Sequence, residues 1–405
     1  MSYKYYLALT SQLPFCSIPL RLDSYNRCQF SCAYCFSKAR GGAVGNGPAQ
    51  SLAPRQLFKR LRRAHSGLAR GAVEEFLAHR IPIQFGGMND PFSPWEKTWA
   101  VSLAALEILR EFDYPFVIST KSAMPAEPAY LRALQGANAY VRISVTGGDL
   151  PTQSGMERGV PNLDERLRAA AELASRDIAV SLRLQPIIWG QEEAAANQIR
   201  MFASVGVKHV TAEYLKLPVE RASKQYSELR RIDTKLNDRY RSLGAKLVGR
   251  EYVLPADAKI KQLRSLERVA RSCGVSFGYA DNDLLHLNRF RSCCNAADRY
   301  LRNANFFSFN ILGIIKAQMG MSQLRFDISR NEWLPLSNMF SHLNSRSRPD
   351  GAIQSSWRES WILYLREKWN SSPERGGPSS YWGIKSTDRR DDAGNLVYTH
   401  NYDVG

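Results

Sequence analysis

The chain has 405 residues, 55 Lys and Arg against 38 Asp and Glu, a formal charge of +17 and a hydrophobic fraction of 44%. This length buries a large core, expected as one main domain with an appendage, and the composition excludes a disordered chain. No apolar run reaches bilayer length and the aromatic N-terminus departs from the plan of a signal peptide, so no membrane is expected.

The charge favours polyanionic partners such as nucleic acid, but it is spread along the chain without a long basic block, and a solvated basic surface accounts for it equally well. Seven cysteines, an odd number, fit a reducing cytoplasm better than a disulfide framework, and a cytoplasmic location is expected.

In chain order, an N-terminal segment (1–18) leads into a first predicted strand, Pro19–Leu22. Directly after it, Tyr25-Asn-Arg-Cys-Gln-Phe-Ser-Cys-Ala-Tyr-Cys-Phe36 carries Cys28, Cys32 and Cys35 on one short loop. A cubane [4Fe–4S] cluster takes one protein thiolate per iron, so a loop offering three leaves one iron open to bind and activate a ligand. Two other readings stay open. A structural zinc site needs four closed ligands, and the next histidine is as far away as His65. Buried free thiols rarely cluster this tightly.

A Gly/Ala-rich stretch (39–48) reads as a linker or flap, and a basic helical segment runs from about Pro54 to His79. Strands are predicted at Ile81–Phe85, Phe116–Ser119, Tyr140–Val145, Ile178–Leu184 and His209–Thr211. Helices fall between them near Lys97–Phe112, Pro128–Leu134, Asp164–Arg176 and Glu192–Val205. Six strands alternating with helices predict a parallel α/β architecture over 19–217. Residues 218–300 extend it with helices near Glu220–Leu243 and Ala258–Ser272 and strands near Glu251–Leu254 and Val275–Tyr279. The aromatic-rich remainder (301–405) shows no repeat and no predictable fold. Its tryptophans could stack nucleobases, although a helix such as Trp357–Trp369 more often presents them to a core.

The second predicted strand of the alternating series runs into Phe85-Gly-Gly-Met-Asn-Asp-Pro-Phe-Ser-Pro-Trp-Glu96. Gly86 and Gly87 permit close approach of the backbone to a ligand, or simply make a turn. Cys293 and Cys294 follow Asp281, Asp283 and His286. They are candidate hydrogen-atom donors, candidate ligands of an auxiliary cluster with Cys16 and Cys273, or buried bystanders.

The cysteine spacing, with Tyr34 before the last cysteine, resembles the signature of the radical S-adenosylmethionine (SAM) superfamily. That resemblance implies a partial (β/α)6 TIM-type barrel with the cysteine loop at the C-terminal strand ends. It also implies a [4Fe–4S] cluster on Cys28, Cys32 and Cys35 whose open iron chelates S-adenosyl-L-methionine. Reductive cleavage then gives methionine and a 5′-deoxyadenosyl radical, with an electron donor such as flavodoxin or ferredoxin. Asp90-Pro-Phe-Ser-Pro-Trp-Glu96, Ser119-Thr-Lys-Ser122, Arg142-Ile-Ser-Val-Thr146, Arg158-Gly-Val-Pro161 with Glu165-Arg-Leu167, and Ser181–Ile188 further resemble the branch related to spore photoproduct lyase, the DNA repair photolyase-like proteins.

By that resemblance Tyr34, Gly86, Gly87, Lys121, Ser144 and Arg183 line the SAM pocket. Met88 stands where the family has a glutamate, which leaves Asn89, Asp90 or a backbone carbonyl as the acceptor. Spore photoproduct lyase carries a hydrogen-donating cysteine a short way downstream of its cluster motif. This chain has none between Cys35 and Cys273, so thymine-dimer reversal by that route does not carry over. Three functions are compatible with these residues: a radical SAM enzyme acting on nucleic acid or a nucleotide, one modifying a peptide or metabolite, and a non-catalytic, metal-containing nucleic-acid-binding protein.

Overall fold

Period-two alternation in the strands builds one large sheet with two unlike faces. A computed structural model describes residues 3–39, 48–219, 224–288, 292, 296–329, 333–342 and 356–401. Its main sheet holds β1 (Leu7–Leu9), β2 (Leu20–Leu22), β3 (Ile83–Phe85), β4 (Phe116–Thr120), β5 (Ala139–Gly147), β6 (Val180–Ile187), β7 (His209–Tyr214) and β8 (Ser276–Tyr279). They lie side by side in chain order. β1 is antiparallel to β2 and every later neighbour pair is parallel. The six expected strands are β2 to β7, and β8 continues the series as the sequence suggested.

Helices link these strands at Val101–Glu111, Pro128–Leu134, Leu163–Ser175, Glu192–Ser204 and Ala256–Ser272. Two expected helices are each broken in two. The segment 54–79 splits into Pro54–His65 and Ala72–Ala78 because Gly67 turns left-handed at φ +72°. The one expected over 220–243 appears as Lys224–Ile232 and Leu236–Ser242, where the Asp233 carboxylate takes the Lys235 N–H at 2.9 Å and competes with the helix.

On one face of the sheet Leu20, Leu22, Ile83, Phe85, Ile118 and Leu182 are fully buried with helical residues such as Leu106, Leu173 and Phe202. The other face is polar. Register sets Ser119, Arg142, Ser181 and His209 in one row, and Ser144, Arg183 and Thr211 in the next row towards the strand C-termini. At its N-terminal end this face is closed by Val117, Tyr140, Cys16, Ile18, Ala296, Ala297 and Leu301.

The C-terminal region adds helices Ile311–Ala317 and Trp357–Trp369 and the hairpin Ile384–Arg390/Leu396–His400. Trp361 and Trp369 are fully buried and Trp333 stacks on His79, with ring centroids 4.1 Å apart. These tryptophans therefore serve the core rather than a base-stacking surface. Among the described residues no helix is long and apolar enough to cross a membrane.

Candidate cofactor site at the strand ends

Beyond β2 the chain crosses the strand ends, and short-range bonds fix where the cysteines sit. Ser31–Cys32 forms a two-residue antiparallel ladder with Glu157–Arg158, and the Ala33 N–H donates to the Met156 carbonyl at 2.8 Å. The Cys35 N–H closes a turn onto the Cys32 carbonyl at 3.3 Å. Cys32 is buried, while Cys28 and Cys35 are partly exposed. Burial pushes the Cys28 and Cys32 thiols up, Cys32 to about 12, although the nearby Lys121 ammonium opposes the shift at Cys32. Among the described residues no three His, Cys, Asp or Glu side chains converge to hold a single metal ion.

Tyr34 turns inward from this loop. Its hydroxyl donates to Glu157 Oε1 at 2.5 Å, and Lys121 Nζ lies 5.4 Å from its ring centroid. Glu157 also accepts from Thr146 Oγ1 at 2.9 Å and pairs with Arg166 Nη1 at 2.7 Å, both charged side chains being 2% exposed. Burial pushes the Glu157 carboxyl up, but Arg166 and Lys121 outweigh it and hold the group below the usual carboxylate range.

The remaining sequence candidates gather at neighbouring strand ends. Gly86 has φ +89°, and a Cβ there would lie 2.6 Å from the Ser119 carbonyl oxygen, so close packing of β3 on β4 requires glycine. A Cβ at Gly87 would meet Arg21 Cβ at 2.9 Å. Asp23 accepts from the N–H groups of Met88 and Asn89 at 2.7 and 3.2 Å. Asn89 is buried and donates to the Tyr25 carbonyl at 2.8 Å. Its Oδ1 has no hydrogen-bond partner among the described residues. Asp90 is already engaged, accepting from Thr120 Oγ1 at 2.8 Å and from the Lys121 N–H at 2.7 Å. Of Asn89 and Asp90, Asn89 is thus the side chain with acceptor capacity left among the described residues.

Lys121 follows the last paired residue of β4, Thr120, which stands opposite Ile143. This brings Lys121 level with Ser144, whose register neighbour is Arg183. Arg183 is held by Gln185, Gln185 by Glu213, and Glu213 by Lys216. Beyond them Lys259 is fully buried between Asp281 and Asp283, at 3.0 and 2.6 Å.

Several residues of this site went unpredicted as ligands or positioning groups. Glu157 and Arg166 lay in or beside quoted motifs, but only the fold shows them paired. Arg142 is 4% exposed, with Ser119 Oγ as its hydrogen-bond partner at 2.8 Å and no ion pair among the described residues. The Thr211 hydroxyl is buried without a partner among them. The alternation of polar residues on the strands was the available signal. Cys293 and Cys294 lie outside the described residues. Cys16 is buried at the opposite end of the strands, and Cys273 caps the helix Ala256–Ser272.

An open groove of about 620 Å³ adjoins the cysteine loop at Phe30. Phe92, Met124, Pro161 and Arg168 also line it.

No protein-family model matches the sequence, and no curated protein does. Solved structures do match. A cysteine-to-serine variant of spore photoproduct lyase shares 17% identity at a TM-score of 0.52, covering 69% of this chain and 81% of that one. A tyrosine-to-phenylalanine variant of the same enzyme shares 17% at 0.50, covering 68% and 80%. The chain therefore has the fold of spore photoproduct lyase: a mixed α/β fold around a mostly parallel eight-stranded sheet.

Proposed function

We propose that this protein is a radical SAM enzyme that acts on nucleic acid or a nucleotide. The observation that carries this reading is the loop of Cys28, Cys32 and Cys35 pinned at the C-terminal ends of the parallel strands, beside Lys121, Ser144 and Arg183. Three thiols spaced Cys-x3-Cys-x2-Cys on one loop suit a centre with one thiolate per iron. A structural zinc ion needs a fourth close ligand, and the next histidine in the sequence is as far away as His65. The residues present thus fit a [4Fe–4S] cluster with one iron open. Such a cluster supplies the electron that cleaves SAM reductively to a 5′-deoxyadenosyl radical.

The chain's own residues bind and orient. Lys121 and Arg183 offer positive charge to a carboxylate, and Asn89 Oδ1 offers a buried acceptor to an ammonium group. Tyr34, Gly86 and Gly87 complete the pocket, and Ser144 adds a hydroxyl. Cys293 and Cys294 remain candidate hydrogen-atom donors. An external donor such as flavodoxin or ferredoxin delivers the electron. The nucleic-acid assignment rests on the +17 charge and on likeness to an enzyme whose name records a photoproduct.

Anaerobic reconstitution with iron and sulfide tests the reading. About four iron and four sulfide per chain are expected, and Cys28→Ala, Cys32→Ala or Cys35→Ala should abolish the visible absorption. Reductant and SAM should then release 5′-deoxyadenosine. A colourless protein that binds zinc tightly and no iron would sink the proposal. Gel-shift assays on single-stranded DNA over a salt series test the substrate class, because phosphate contacts give a steep salt slope. No binding at low salt would turn the reading towards a peptide or metabolite.

A further inference from the structure

We infer that Glu157 and Arg166 are positioning residues: a buried ion pair that clamps the cysteine loop to the strand ends and sets where any centre on that loop sits. The geometry carries this. One guanidinium reaches three elements at once. Arg166 projects from the helix Leu163–Ser175, and its Nη1 donates to the Ser144 carbonyl on β5 at 2.8 Å and to Glu157 Oε2 at 2.7 Å.

The other oxygen of Glu157 receives Tyr34, from the cysteine loop, and Thr146, from β5. The backbone adds a second tie, since Cys32 stands opposite Glu157 in the short ladder. The loop is therefore joined to the polar row through side chain and main chain at the same residue. A carboxylate accepting three bonds and a guanidinium with three acceptors, the third being the Asn162 carbonyl at 3.4 Å, leave little freedom in either group. A buried pair of this kind gives modest net stability but strongly disfavours any state in which one partner is lost. That property suits a device that must hold geometry rather than one that merely adds cohesion.

Helix origin supports the assignment. The Asn162 and Glu165 capping box fixes the first turn of the helix carrying Arg166, with Asn162 Oδ1 taking the Glu165 N–H at 2.9 Å and Glu165 Oε2 taking the Asn162 N–H at 2.7 Å. The guanidinium thus starts from a rigid base only four residues beyond that cap.

The inference rests on the cluster reading for its purpose but not for its test, which starts with metal-free protein. Iodoacetamide alkylation is followed by mass spectrometry at each cysteine, with Cys16 and Cys273 as references remote from the loop. Tyr34→Phe removes one hydrogen bond to a charged acceptor, and Cys32 should alkylate about tenfold faster while Cys16 and Cys273 keep their rates. Glu157→Gln should speed Cys32 further. If it raises all cysteines together the fold is lost, and Tyr34→Phe alone decides.

In reconstituted protein both variants should release iron to a chelator faster, and the SAM-induced change in the spectrum of the reduced cluster should weaken. Wild-type Cys32 reactivity in Tyr34→Phe overturns the clamp whether or not iron binds. Failure of the parent chain to take up iron defeats the cluster reading and leaves the alkylation result standing.

Discussion

Buried polar groups are handled differently in the sheet region and in the C-terminal region. Around the strand ends, charged side chains bind one another: Glu157 with Arg166, Glu213 with Lys216, Lys259 with Asp281 and Asp283. In the C-terminal region the buried aromatics Trp361, Trp369 and Tyr398 tie to backbone instead. Trp361 Nε1 donates to the Phe309 carbonyl at 3.0 Å, Trp369 Nε1 to that of Leu396 at 2.7 Å, and the Tyr398 hydroxyl to that of Trp369 at 2.6 Å. Neutral bonds to backbone let large aromatics be buried at little desolvation cost. Charged networks return little net stability for the desolvation they require. Their concentration at the strand ends marks that end as the place where geometry, not cohesion, is being held.

The largest test of this division is Trp361→Ala. Removing a fully buried indole should cost about 3–5 kcal/mol, read as a shift of the urea midpoint. Iron bound per folded chain should stay at the parental value. A parallel loss of iron below the unfolding transition would show that the C-terminal region also shapes the cofactor site.

The converse test is Lys121→Ala, with Ser144→Ala beside it. Lys121 Nζ makes no ion pair among the described residues, and its contact with the Tyr34 ring is a cation–π contact at 5.4 Å, so stability should change by no more than about 1 kcal/mol. SAM affinity, measured calorimetrically on reconstituted protein, should fall about tenfold, the equivalent of one charge-assisted hydrogen bond. Ser144→Ala keeps the carbonyl that holds Arg166 and should weaken SAM binding without loosening the loop. Unchanged SAM affinity in both variants would detach this row from the cofactor.

Legibility in the sequence follows the same division. β4 to β7 were readable because Val117–Ile118, Val141–Val145 and Leu182–Leu184 carry apolar residues at strand spacing, and turn residues bracket them. Lys121, Ser144 and Arg183 stood at recognisable strand ends, and register then aligned them. The Glu157–Arg166 pair was not readable, because nothing local tells a helix-face arginine that it will be buried against a carboxylate nine residues earlier. The C-terminal region was opaque for another reason. Its contacts are long-range, as when the Asn310 side chain reaches the Cys16 carbonyl at 3.0 Å, and no period encodes them. The hairpin Ile384–His400 went unseen because its first strand, Ile384–Arg390, is mostly polar and exposed.

The smallest expected effect lies where the two regions meet. The His286 ring packs against Gly383, where a Cβ would overlap it, so the C-terminal region closes directly over this imidazole. Burial, and then the neighbouring His400, push its pKa down from the ordinary value to about 4. The folded chain thus keeps His286 neutral at a pH where the unfolded chain takes up a proton. The stability this contributes is fully present above the unfolded value of about 6.5. It is lost progressively as pH falls from there towards 4, and levels off below. Carboxylates held low, such as Glu157, act in a lower window, losing their contribution only below their ordinary value of about 4.3. The two groups are therefore separable by pH. Urea unfolding from pH 7 down through pH 5 to about pH 3 should show a first decline that His286→Gln partly flattens, while the further fall below about pH 4 persists. Because the ring is only partly buried and water screens it, the flattening should be modest. Identical slopes in parent and variant between pH 7 and 5 would mean that the junction opens before the histidine titrates, and that the C-terminal region is held by its tryptophans alone.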